Sequence, residues 1–152
     1  MGSIDFGRSH GNVSHHVQVS LDPLIDRDQF RVYSGFGQQL GPIVAFGAAG
    51  VIDGLAAFFP KTVVRLFSLL ATGDADAGTK AEIHKLQYIV SRAEEFIVRY
   101  GLLGIREGVY RVTSVGNLEG GRMPLRGKLA EGDWEKGKRL FLAEIEKTEA
   151  AL

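Results

Sequence analysis

The chain has 152 residues, length for one core, and its 18 Lys+Arg balance 18 Asp+Glu. Zero net charge argues against nucleic acid, which selects a basic surface, and the lack of Cys excludes disulfides, thiolate metal sites and a Cys nucleophile. No run approaches the ~18 apolar residues of a membrane span, and residues 1–16 carry no apolar signal-peptide core. The expectation is a soluble cytoplasmic globular chain with neither a membrane nor a nucleic-acid partner.

Asn12 can cap a short helix over Val13–Ser20, with Val13, Val17 and Leu21 on one side and Pro23 and Asp26–Asp28 stopping it. Phe30–Tyr33 reads as a strand, and Ser34–Gly37 as the loop after it. Gln38–Gly47 predicts a short apolar helix with Pro42 in its first turn. Gly50–Gly54 predicts a second strand, buried on both faces as in a covered parallel sheet. Pro60–Ala71 predicts a helix. Lys61, Arg65, Ser68 and Thr72 form its narrow polar stripe, so most of it, including Val64 and Phe67, is expected to be buried.

Thr79–Glu82 has capping-box spacing and opens a long helix. One face carries Ile83, Leu86, Ile89, Val90, Ala93, Phe96 and Ile97; the other carries Lys85, Arg92, Glu95 and Arg99. Gly101 ends it. A helix over Ile105–Val115, a Gly-rich loop over Asn117–Gly127 and an amphipathic helix over Asp133–Leu152 follow. Two parallel strands cannot form an independent sheet, because their edges and apolar faces need partners. The pattern therefore belongs to a larger α/β sheet or barrel, completed by further chain or by another copy.

Phe30–Gly35, Gly47–Gly54 and Pro60 resemble the last two barrel strands of the dihydrodipicolinate synthase/N-acetylneuraminate lyase family. Leu86-Gln87, Gly104-Ile105-Arg106 and Gly120-Gly121-Arg122-Met123-Pro124-Leu125 resemble its C-terminal helical extension. The likeness is to the fungal-type branch with 2-keto-3-deoxy sugar acid and 4-hydroxy-2-oxoglutarate aldolases. It implies an α/β fold, the C-terminal portion of a (β/α)8 barrel plus a three-helix extension. Residues 1–28 would be an N-terminal segment, partly disordered or a remnant barrel helix. Residues 29–73 would be the last two βα units, and residues 74–152 the extension. It also implies a class I aldolase or lyase on pyruvate or related 2-oxo acids, with no metal and no organic cofactor. In that chemistry an imine-forming lysine makes the substrate carbonyl an electron sink.

Laid on the family pattern, Ser9–Val13 resembles the loop after the lysine strand, and the lysine position falls near Gly7. The first lysine here is Lys61. No catalytic residue is therefore carried over, and the chain alone is expected to be inactive, as a truncated product. The resemblance places Ser34, Gly35, Ile52 and Asp53 on the substrate-pocket wall, at the strand ends where barrel enzymes work. Asp53 stands where Ser or Thr is common, and Ala57 where Asn is common. A second expectation is a non-catalytic remnant that forms a homo-oligomer or binds a full-length relative. A third is a divergent enzyme using Asp53 and another lysine.

Each candidate has a plainer reading. Asp53 can serve as acid or base, or simply cap a turn. Ser34–Gly37 can cradle an anion, or be a βα turn. His10, His15 and His16 are read as surface or disordered rather than metal ligands, and His84 as solvated. Arg106 and Arg122 are read as structural ion-pair partners. Gly120-Gly121 lacks the strand and spacing of a dinucleotide fingerprint. The stripe Trp134, Phe141, Ile145, Leu152 is read as packing, or else as a partner surface.

Overall fold

The computed structural model describes residues 12–119, 121–123 and 126–152. The expected residues Gly7, Ser9, His10, Gly120, Pro124 and Leu125 lie outside the described ones.

Helix α1 (Val13–Leu21) starts where Asn12 predicts, because the Asn12 side chain accepts the Ser14 N–H at 2.9 Å. His16 is on its buried side, where Val13 and Val19 meet a small cluster of Val32, Ile43 and Ala48. The reading of His16 as a surface residue is thus corrected; His15 and His84 are exposed. Leu21, expected on the packed side, is largely exposed. Asp22 and Asp26 then accept the Leu24 and Asp28 N–H groups, and the chain turns.

Strands β1 (Tyr33–Ser34) and β2 (Gly50–Val51) pair in parallel, with Tyr33 opposite Gly50 and Ser34 opposite Val51. Both are shorter than the sequence predicts. Bonds from Ala49 N–H to the Val32 carbonyl and from Ile52 N–H to the Ser34 carbonyl extend the pairing a little. Among the described residues neither strand has a second neighbour, so no ladder holds the rest in register. Between the strands a 3-10 turn, Gly37–Gln39, leads into α2 (Leu40–Val44). A second 3-10 turn, Leu55–Ala57, follows β2.

Helix α3 (Pro60–Ala71) has the expected bounds, with Pro60 in its first turn and Gly73 (φ +78°) just beyond its end. Its expected burial is corrected. Thr62, Val63, Leu66 and Leu69 are buried, but Val64 is 59% and Phe67 37% exposed. Their side of the helix flanks β2, since the Phe67 ring lies against Gly50, and no described residue covers it.

Helix α4 (Ala77–Thr113) breaks at Gly101 (φ +58°, ψ −148°), the position that predicts the stop. Its cap is corrected. Asp76, not Thr79, caps it, by accepting the Thr79 N–H at 2.7 Å. Glu82 instead forms a forked pair with Arg65 at 2.8 and 3.0 Å. Helix α5 (Asp133–Gly137) continues through a π segment, Lys138–Leu142, into α6 (Ala143–Ala151). Trp134, Leu142 and Ile145 face inward, whereas Leu152, expected in the same stripe, is exposed.

The core lies between these helices. Leu40, Leu55, Phe58, Phe59 and Leu66 pack on Leu86, Ile89, Val90, Ala93 and Phe96 of α4. Phe96 meets Trp134 edge-on at 5.5 Å. Helices α4 to α6 are therefore the floor that the strand pair rests on. No described helix is long and apolar enough to cross a membrane.

Candidate functional site

The C-terminal ends of β1 and β2 and the turns after them form the candidate site. Ser34 ends β1 and is buried. Its hydroxyl donates to Gln39 Oε1 at 2.6 Å and accepts the Phe36 N–H at 3.1 Å. One loop amide that could hold an anion is thereby occupied within the loop. Gly35 has open space where a Cβ would stand. Ile52 is 63% exposed, directly after β2. Ala57 is exposed at the end of the second 3-10 turn.

Asp53 points elsewhere. Its Oδ1 accepts the Ala56 N–H at 2.9 Å, which is the turn-capping geometry. Its Oδ2 is turned toward Glu94 of α4, beneath Gly37. A Cβ on Gly37 would overlap Asp53 Oδ2 and meet Glu94 Oε1 at 3.0 Å. Both oxygens are buried, and neither is closed into a hydrogen bond with an N–H or O–H, although the Gly37 N–H favours the Glu94 carboxylate. Two acceptors that face each other can bond only through a shared proton.

Glu94 is 1% exposed, and removal from water pushes its carboxyl up to about 9. The Asp53 charge and the bond to Asp53 add to that rise. Burial also raises Asp53, opposed by its bonds to the Ala56 N–H and to Glu94. Burial thus raises both carboxyls, and the pair keeps one proton at neutral pH. Sequence reasoning missed Glu94. A signal existed: it lies four residues after Val90 and three before Ile97, on the apolar stripe.

Gln87, seven residues before Glu94, holds the same turn. Its Nε2 donates to the carbonyls of Gly37 (3.3 Å) and Gln38 (3.2 Å), and its Oε1 accepts the Gly41 N–H at 2.8 Å. The loop after β1 is thus fastened from below by one helix. Arg106, on the second rod of α4, donates to the Leu118 carbonyl at 3.3 Å and so braces the Gly-rich loop. Arg122 is exposed.

No family model matches the chain. Over 53 residues it is 42% identical to 4-hydroxy-tetrahydrodipicolinate synthase 1 of Clostridium acetobutylicum, covering 35% of this chain and 17% of that protein. A dihydrodipicolinate synthase family protein from Coccidioides immitis matches with a TM-score of 0.69 and 20% identity, over 99% of this chain and 46% of its own. The 2-keto-3-deoxygluconate aldolase of Sulfolobus solfataricus matches with a TM-score of 0.68 and 17% identity, over 93% of this chain and 44% of its own. The chain thus spans less than half the length of each protein, as a partial α/β fold. The likeness is thus to a 53-residue stretch of one dihydrodipicolinate synthase and, in fold alone, to part of a dihydrodipicolinate synthase family protein and of a 2-keto-3-deoxygluconate aldolase.

Proposed function

We propose that the chain supplies the last two strand–helix units and the helical extension of a Schiff-base class I aldolase-like barrel for pyruvate or related 2-oxo acids. By itself it is inactive. The observation that carries this reading is the open side of the strand pair, where Ile52, Val64 and Phe67 expose apolar surface along β2 and α3. A closed barrel of this type has eight strands, of which β1 and β2 would be two. Two copies would bring four, so a dimer would not close the barrel. The complement is a further set of six strands.

In the closed barrel, Ser34, Gly35 and Ile52 would stand on the substrate wall. Ile52 would face inward and Gly35 would leave room for substrate. Asp53 would set the turn, with its carboxyl held by Ala56 and Glu94. The imine lysine would come from the complement, because the first lysine here, Lys61, opens α3 on the outer layer. Treating the chain with pyruvate and borohydride and weighing it tests this. The expected result is no adduct; a pyruvyl-lysine mass would overturn the claim of inactivity and favour a divergent enzyme.

The same exposed edge favours a second reading, a non-catalytic remnant that pairs with its own copy through the open strands. Light scattering separates the two. A discrete oligomer supports the remnant, and a monomer supports the partial barrel.

A further inference from the structure

The carboxyls of Asp53 and Glu94 meet from opposite sides of one seam. Asp53 belongs to the strand layer, two residues past β2, and Glu94 to the helical floor. Gly37 closes the seam above them so tightly that no side chain fits there. The two carboxyl oxygens that face each other close no hydrogen bond with any other group. Of the elements packed on the pair, the turns Gly37–Gln39 and Leu55–Ala57 carry no ionisable side chain and contribute backbone N–H groups. Helix α4 adds one further charge, Glu95, which also opposes ionisation. No cation faces the pair among the groups that act on it.

We propose that Asp53 and Glu94 form a proton-sharing joint, which clips α4 to the strand ends while it holds one proton and loosens when base removes it. In the step, the O–H bond of the shared proton breaks and the proton passes to a solvent base. Two carboxylates then remain face to face in a buried seam, where their repulsion is weakly screened. The elevated Glu94 carboxyl agrees with this order of events. The joint lies beside the Gln87 clamp on Gly37, Gln38 and Gly41, so it governs how firmly the loop after β1 is held. It stands on the seam geometry alone and does not require the aldolase-like reading.

Infrared titration of the wild-type chain tests it directly. A protonated-carboxyl band is expected at pH 7, vanishing as the pH passes about 9 and missing in Glu94→Gln. The wild-type melting temperature is expected to fall by about 3–5 °C per pH unit between pH 7 and 9, with Glu94→Gln flat and Glu95→Gln sloping like wild type. The Gly41 and Ala56 amide signals should shift with the same midpoint. The proposal is overturned by a wild-type chain without the band at pH 7, by equal slopes in wild type and Glu94→Gln, or by amide signals that do not move. If Glu94→Gln does not fold, the wild-type infrared and amide titrations decide alone.

Discussion

Glu149 of the last helix caps the first turn of α3 through Thr62. Its Oε2 accepts both the Thr62 N–H and the Thr62 hydroxyl at 2.7 Å, and its Oε1 accepts the Lys61 N–H at 2.8 Å. Helix α3 has no side-chain cap of its own, since Phe59 occupies that position. A residue 87 positions away therefore does what Ser or Asp usually does locally. The carboxylate also meets the positive end of the helix.

Removing that cap should be costly for a half-exposed group. Glu149→Ala is expected to destabilise the chain by about 1–2 kcal/mol, read as a shift of the urea midpoint at unchanged slope. Thr62→Val should lose less, because the backbone bond from residue 62 survives.

Gly137→Ala sets two effects against each other. Alanine in a helix gains about 1 kcal/mol over glycine. Here its Cβ would meet the Phe96 ring at 2.6 Å and the Tyr100 ring at 2.7 Å, and overpacking costs about 1–3 kcal/mol. The clash should win, so the variant is expected to melt below wild type. A higher melting temperature would show that the two rings swing aside freely.

His16 makes the fold acid-sensitive. Burial, and then the neighbouring His15, holds its imidazole below the ordinary 6.5, so the folded chain favours the neutral ring. The unfolded chain takes up the proton first. The stability from this residue is complete above about pH 6.5 and is lost as the pH falls below it. Below pH 6.5 the melting temperature of wild type should fall relative to that of a His16→Leu variant. Glu94 acts with the opposite sign across this window, because its carboxyl is raised from 4.5 to about 9, so the His16 contribution is read as the difference between wild type and His16→Leu.

Ile52→Lys and Val64→Lys, at positions 63% and 59% exposed, should barely change the melting of the chain alone, within about 0.5 kcal/mol for surface positions. They should abolish any assembly that uses the open side of the strand pair. Light scattering of wild type and variants at matched concentration reads this. An oligomer that survives both substitutions would place its interface elsewhere.

Local chemistry made much of the chain legible in one dimension. Asn12 capping α1, Pro60 opening α3, Gly73 closing it and Gly101 breaking α4 each depend on one residue's backbone or side-chain geometry. The apolar stripe from Leu86 to Phe96 followed from helical period alone. The cap of α4 was misread because Asp76 and Thr79 are both good caps, and Glu82, the partner a capping box needs, was drawn away to Arg65 across the helix pair.

The site was less legible, since it is made where separate elements meet. Ser34, Gly35, Ile52 and Asp53 lie in two short segments that a pattern can find, but the pattern cannot say where each side chain turns. Only the packing of α4 under the Gly37 turn brings Glu94 to Asp53 and sends the Asp53 carboxyl downward. Likewise Val64 and Phe67 have the composition of buried residues, and burial needs a neighbour that the described chain does not supply. Sequence by itself determined where most helices lie, several of their ends and the strand–helix order, because those rest on contacts within about one turn of the chain. Tertiary structure decided the carboxyl pair, the Glu149 cap and the open apolar edge, because each depends on which distant surfaces touch and which remain uncovered.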